Sequence, residues 1–343
     1  VRRETLRWAN DAVELLDQTL LPHEVKYIRC DTVETLCEAI RMLRVRGAPA
    51  IGLAAALGMA MAGLQNTRKD STGFIIEMEN TSRQLAATRP TAVNLFWALN
   101  RMERIWRSER LGVKEKKQNL VNEACSMIEE DRRICRSIGK HGATLLPDPC
   151  TVLTHCNAGY LATADYGTAL APVYVAHEQG RTVSVYADET RPLLQGGRLT
   201  TWELHDAGVP VTLICDDMAA TTLASGVIDL IITGADRIAA NGDAANKIGT
   251  MGLAILAEYF NIPFYIAAPI STIDFGLENG SRIPIEERDA TEVTHIRGNR
   301  IAPEGIGVFN PAFDVTPSSL ITAIITEKGV HKPPFDVSLR ESL

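Results

Sequence analysis

Beyond residue 149, short apolar runs alternate with helical segments, and this alternation constrains the fold more than any other feature of the chain. CTVLTHC (150–156), TVSVYADE (182–189), VPVTLICDD (209–217), IDLIITGADRI (228–238) and IPFYIAAP (262–269) read as strands. Helical segments are expected between them in LATADYGTALAPVYVAHEQG (161–180), LTTWELHDAG (199–208), MAATTLASG (218–226) and NKIGTMGLAILAEYF (246–260). Strands that are apolar throughout, separated by helices, indicate a parallel sheet covered on both faces. Such sheets bind ligands beyond the carboxyl ends of their strands. His155-Cys156, Asp188-Glu189, Asp216-Asp217 and Asp236 all follow apolar runs, so they fall on one rim. Rims are loops and often polar in any case.

The texture before Pro147-Asp148-Pro149 is different. TLRWAND, AVELLDQTLLP and EVKYIRC suggest a small antiparallel sheet. TVETLCEAIRMLRV (32–45) has apolar residues at helical spacing with Thr32 as N-cap. Further helical patterns fill TGFIIEMENTSRQLAAT, TAVNLFWALNRMERIWRSE and KEKKQNLVNEACSMIEEDRRICRSIGKHGATLL. The expected organisation is therefore a smaller, mostly helical domain over 1–125 carrying a short antiparallel sheet. A Rossmann-like α/β domain with a doubly wound, mainly parallel sheet follows over 126–343. APAIGLAAALGMAMAG (48–63) is the most apolar stretch; a membrane span needs about 20 residues, so it reads as a buried helix and no membrane association is expected.

A formal net charge of −7 with no long Lys/Arg tract argues against nucleic-acid binding by bulk electrostatics. An anionic ligand would need a local cluster of cations. The seven cysteines show neither CxxC pairs nor metal-ligand spacing. With an odd count and no signal peptide, they fit a reducing cytoplasm and no resident metal.

Individual motifs carry the chemistry. RVRGAPAIG (44–52) places Arg46 and a glycine before Pro49 in a first helical turn, where free amides can hold a phosphate. Small-residue helix packing with a solvated arginine explains the same string. Arg89 precedes Pro90 and is pushed onto a loop entering a helix; alone it is an ordinary surface charge. DETRPLLQGGRLT (188–200) is a dense polar loop matching neither GxGxxG nor a P-loop, so no nucleotide cofactor is expected. GADRIAANGDAANKIGT (234–250) sets Asp236 after a strand and Asn246-Lys247 at the start of the next helix, a proton donor facing a phosphate or hydroxyl clamp. A helix cap with a solvated lysine is the alternative, and its NGD lacks full EF-hand spacing. Cys156 is either a buried strand-end thiol or a tuned acid or base. His155 is a poor partner for it, because adjacent strand residues point to opposite faces.

Together these stretches resemble the methylthioribose-1-phosphate isomerases, within a superfamily that includes ribose-1,5-bisphosphate isomerases and the α, β and δ subunits of the initiation factor 2B complex. RGAPAIG, SRQLAATRPTAVNLFWAL, THCNAG…LAT, YADETRPLLQG…LT, MAA, GADRIAANGDAANKIGT, IPFYIAAP, IPIEERDA, NPAFDVTP and ITEKGV occur in order from about residue 40 onward. The resemblance implies a cofactor-independent aldose–ketose isomerisation of a phosphorylated sugar, 5-methylthioribose 1-phosphate, with Cys156 and Asp236 catalytic. It implies substrate contacts at Arg46, Gly47, Ala48, Arg89, Gln195, Asn246 and Lys247, no metal, and a homodimer. Donation at neutral pH would require a raised Asp236 pKa, which burial supplies. Related sugar phosphates, 5-deoxyribose 1-phosphate or ribose 1,5-bisphosphate, and a non-catalytic regulatory subunit are the competing readings. Tyr160 and Asp217 depart from the family pattern; Tyr160 either narrows the pocket or faces solvent at its rim.

Overall fold

The computed structural model describes residues 3–342. The chain forms two compact units, one of residues up to Cys135 with Tyr160–Gly167, the other of Arg136–Gly159 with Thr168 onward.

The first unit opens with an antiparallel sheet of β1 (Leu6–Ala9), β2 (Ala12–Leu16) and β3 (Tyr27–Cys30), as expected. Its helices are α1 (Val33–Arg41), α2 (Ala48–Gln65), α3 (Ser71–Ala86), α4 (Val93–Trp106) and the first part of α5 (Val113–Ala143). Thr32 caps α1, its side chain accepting from the Thr35 amide while Thr35 returns the bond. Helix α2 is apolar on every side because it is the core of this unit. Of the described helices it is also the one long and apolar enough to cross a membrane, and 72% of that window is buried. Its glycines permit close neighbours: a β-carbon on Gly52 would lie 2.7 Å from the Asn94 carbonyl oxygen.

The expected boundary at 125/126 falls inside the single helix α5. The compact unit runs on to Cys135 because Met127 and Ile128 are packed in the first core. Tyr160–Gly167 joins this unit through bonds from Thr5 Oγ1 to the Tyr160 carbonyl (2.7 Å) and from Gln18 Nε2 to the Leu161 carbonyl (2.7 Å).

The second unit holds the alternating pattern: β4 (Cys150–Thr154), α6 (Ala171–Glu178), β5 (Val183–Asp188), α7 (Thr201–Asp206), β6 (Val211–Ile214), α8 (Ala219–Ala224) and β7 (Leu230–Thr233). A hairpin of β8 (Arg237–Ala239) and β9 (Ala244–Lys247) interrupts it before α9 (Thr250–Phe260) and β10 (Phe264–Ala267). Then come β11 (Ile273–Asp274), the small hairpin β12 (His295–Ile296) and β13 (Asn299–Arg300), β14 (Phe313–Thr316), β15 (Ala323–Thr326) and β16 (Gly329–His331). The main sheet runs β16-β15-β10-β7-β4-β5-β6, parallel except for β16. A second sheet, β11-β8-β9-β14, stands beside it in sequence. The helix expected across 161–180 begins only at Ala171. Tyr166 and Gly167 both take positive φ, which a helix does not accept, and Pro172 fits only the first turn.

Candidate active site

From β4 the chain winds outward through β5 and β6, then returns to the other side of β4 with β7 and continues through β10. The point where the winding reverses lies between β4 and β7, the position at which sheets of this kind bind ligands. Leu153 pairs with Ile231, and Thr154 Oγ1 donates to the Ile232 carbonyl (2.7 Å), so both strands end at one level. Cys156 lies just past β4 and Asp236 just past β7. The two loops touch, since a β-carbon on Gly234 would stand 2.8 Å from the Ala158 methyl. Cys156 and Asp236 are both half-buried.

The Asp236 amide donates to the Ala245 carbonyl (2.8 Å), and Arg237 pairs with Ala245. One step further in that register sets Asp236 opposite Asn246. Asn246 and Lys247 therefore close strand β9 rather than open a helix, which corrects the sequence expectation. The cause is pairing of Ala244–Lys247 with β14, followed by Gly249 at φ +106°, which delays α9 to Thr250. Asn246 Nδ2 donates to Thr250 Oγ1 (2.9 Å). Lys247 Nζ donates to the Ala312 carbonyl (2.9 Å) and lies 4.8 Å from the Phe313 ring centre.

Cys156 is held with φ at +62°, a conformation non-glycine residues seldom adopt and one that clusters at functional sites. Its amide donates to Thr190 Oγ1 (2.8 Å), and its carbonyl accepts from Thr200 Oγ1 (2.6 Å). Asn157 Nδ2 donates to Thr200 Oγ1 (3.1 Å) and to Glu203 Oε1 (2.6 Å), a carboxylate fully shielded from solvent. A β-carbon on Gly159 would meet that same oxygen at 1.6 Å. The backbone that carries the Cys156 thiol is thus fixed on both sides by threonine hydroxyls, with Asn157 and Gly159 packed against Glu203. Thr190, Thr200 and Glu203 were not singled out from sequence, because a hydroxyl bonding a distant backbone leaves no spacing signal.

Gln195 leads into a π-helical turn, Gly196–Thr200, a form that concentrates at functional sites. Its Oε1 is buried and accepts no hydrogen bond among the described residues. Buried acceptors are rarely left unmet, and a ligand hydroxyl would satisfy this one.

His155 stands one step beyond the Thr154–Ala187 pairing, hence beside Asp188. Nδ1 lies 2.9 Å from Asp188 Oδ2, and Nε2 lies 2.8 Å from the Ile248 carbonyl oxygen. A carbonyl only accepts, so Nε2 carries a proton, and a second proton lies between Nδ1 and the carboxyl. Burial works against charge on His155, but the Asp188 carboxylate and the Ile248 carbonyl raise it above the ordinary histidine range. Burial likewise raises Asp188, with His155 opposing. Asp216 lies close enough that one ligand atom from each of the three residues falls within 4.8 Å of the others. The set offers a cation little: both imidazole nitrogens face hydrogen-bond partners, and Asp216 accepts from the amides of Thr190 (2.7 Å) and Arg191 (2.7 Å).

The other expected contacts, Arg46, Gly47, Ala48 and Arg89, belong to the first unit. Gly47 precedes α2 at φ +96°, and a β-carbon there would lie 2.6 Å from Ala162. Arg46 Nε donates to Gln18 Oε1 (3.1 Å). Arg89 is half-buried in the turn before α4. Tyr160 is 1% exposed, so the solvent-facing alternative is set aside, while Asp217 is exposed.

Comparison with known proteins adds family context. Residues 44–333 match the model of the initiation factor 2 subunit family. A 5-deoxyribose 1-phosphate isomerase of Moorella thermoacetica is 56% identical over 98% of this chain and 97% of its own length. A methylthioribose-1-phosphate isomerase of Pelotomaculum thermopropionicum is 56% identical over 99% and 94%. The crystal structure of 5-methylthioribose 1-phosphate isomerase from Pyrococcus horikoshii OT3 superposes with a TM-score of 0.93 at 46% identity, covering 99% of this chain and 95% of that one.

Proposed function

This chain belongs to the initiation factor 2 subunit family, and within it we propose an aldose–ketose isomerase that converts 5-methylthioribose 1-phosphate to 5-methylthioribulose 1-phosphate. The observation that carries this reading is the meeting of the Cys156 and Asp236 loops at the reversal point of the sheet.

The anomeric oxygen of this substrate is esterified, so the ring does not open through a free aldehyde. Asp236 donates a proton to the ring oxygen as the C1–O bond breaks. Cys156 takes the C2 proton, leaving a double bond between C1 and C2. Return of a proton to C1 with loss of the C2 hydroxyl proton completes the ketone. Gln195, Asn246 and Lys247 hold hydroxyls and phosphate, and Arg46, Gly47, Ala48 and Arg89 are assigned phosphate and sugar contacts by the family pattern. In a direct hydride shift from C2 to C1, Cys156 would instead handle an oxygen-bound proton. Complete retention of a C2 deuterium label favours that route over the enolate.

The 56% identity to a 5-deoxyribose 1-phosphate isomerase supports that sugar as the second reading. The test is incubation with 5-methylthioribose 1-phosphate, 5-deoxyribose 1-phosphate and ribose 1,5-bisphosphate, following ketose signals by NMR without added metal or nucleotide. Fastest turnover of the first supports the proposal, preference for the second replaces it, and no turnover of any points to a regulatory subunit. A homodimer working in the cytoplasm as part of methionine salvage completes the proposal, supported by the family pattern and by seven cysteines without a disulfide. Light scattering checks the assembly.

A further inference from the structure

Carboxylates converge on His155 from three elements. Asp188 ends β5, Asp216 follows β6, and Asp314 on β14 accepts from the amides of Gly249 (2.8 Å) and Met251 (3.1 Å) and acts electrostatically on the same ring. The imidazole is 2% exposed and joins three segments of the candidate site: the Cys156 loop through its own backbone, the 188–195 loop through Asp188, and the β9–α9 turn through the Ile248 carbonyl. Gly249 packs on its other edge, where a β-carbon would come within 2.8 Å of the ring. The Cys156 amide, in the positive-φ backbone, donates to the Thr190 hydroxyl (2.8 Å), and Thr190 is held by the Asp188 carbonyl (3.1 Å) and the Asp216 carboxylate (2.7 Å).

We propose that His155, held as a doubly protonated imidazolium by Asp188 and the Ile248 carbonyl, is the positioning residue for Cys156, with Asp188 and Asp216 as its counter-charges across three neighbouring strand ends. The geometry fixes one proton on Nε2, facing the Ile248 carbonyl, and a second between Nδ1 and Asp188; the convergence of Asp188, Asp216 and Asp314 on the ring assigns that second proton to the imidazole. The positioning role rests on the isomerase reading; the protonation state does not.

The test uses the full chain labelled with nitrogen-15 at histidine. Wild type is expected to show one histidine ring still protonated at both nitrogens at pH values where ordinary histidines have lost a proton. Asp188→Asn keeps an oxygen acceptor but removes the charge. In it the ring should lose one proton, kcat should fall by about 10²-fold with KM changed by less than about threefold, and alkylation of Cys156 should change in rate by about tenfold. A merely structural pair would leave kcat and the alkylation rate of the folded variant unchanged. One bare ring nitrogen in wild type, or an Asp188→Asn enzyme with unaltered kcat and alkylation, overturns the proposal. If wild type turns over no sugar phosphate, the isomerase reading fails by itself, while the ring spectrum and Cys156 alkylation still decide protonation and positioning.

Discussion

Gly196 lies so close to the backbone of Asp188 that a β-carbon on it would stand 1.7 Å from the Asp188 carbonyl oxygen. That contact joins the end of β5 to the start of the π-helical turn that carries Thr200 to the Cys156 carbonyl.

Backbone against backbone offers no flexible group to give way, so Gly196→Ala should cost about 3 kcal/mol in urea unfolding and displace Thr200. Turnover should fall with it. Gly197→Ala is the control: its nearest new contact is Glu189 Cβ at 3.7 Å, ordinary van der Waals distance, and stability should stay within about 0.5 kcal/mol of wild type. Equal losses in both variants would show that the β5–turn contact is not what matters.

Cys156→Ser and Asp236→Asn are expected to lower kcat by about 10² to 10⁴-fold while leaving the unfolding midpoint near that of wild type. Each substitution preserves size, and the hydrogen bonds that hold the Cys156 backbone come from Thr190 and Thr200, which remain. Circular dichroism melts alongside ketose formation decide it. Near-normal turnover in either variant breaks the catalytic assignment.

What the sequence disclosed tracks burial. Leu230–Thr233 and Phe264–Ala267 are buried at every position, so they stand out as apolar runs and the parallel sheet is legible. The β8–β9 hairpin is not: its strands are short, one ends in Asn246-Lys247, and its outer partner Phe313–Thr316 comes far later in the chain. Hence Lys247 reads from sequence as part of a helix start. His155 and Asp188 were each visible at a strand rim, but their pairing depends on the β4–β5 register, which no local pattern specifies. Glu203 looked like one more acid in a helical segment; only the fold shows it fully shielded against Asn157.

Asp243, in the NGD stretch set aside as a calcium motif, ties backbone together. Its carboxylate accepts from the amides of Ser318 (2.8 Å) and Gly280 (2.9 Å) and from Asn241 Nδ2 (2.9 Å). Burial alone would raise its pKa, but the Asn241, Ser318 and Gly280 donors outweigh this and hold it below the ordinary aspartate range. With the folded value depressed, its contribution is present above the unfolded pKa and lost as pH falls through the folded one. Asp243→Ala should destabilise by about 3 kcal/mol near neutral pH, with the deficit shrinking in acid. A deficit that does not change with pH would assign the loss to packing.

Asp131 has the opposite sign. It accepts from the Ala164 amide (2.7 Å), and burial pushes its carboxyl up to about 6, the Ala164 and Cys135 donors only partly opposing. Between its unfolded value and about 6, the folded chain binds a proton that the unfolded chain does not, so stability from this group is full at low pH and declines as pH rises through that window. Shifts of this size amount to about 3 kcal/mol. Asp131→Asn keeps an oxygen for the Ala164 amide and has no charge to bury. It should match or exceed wild-type stability above about pH 7 and lose the advantage towards about pH 4, where wild-type Asp131 is neutral as well. Urea midpoints across that range decide it: curves for the two proteins that stay parallel would show that folding does not shift the Asp131 carboxyl.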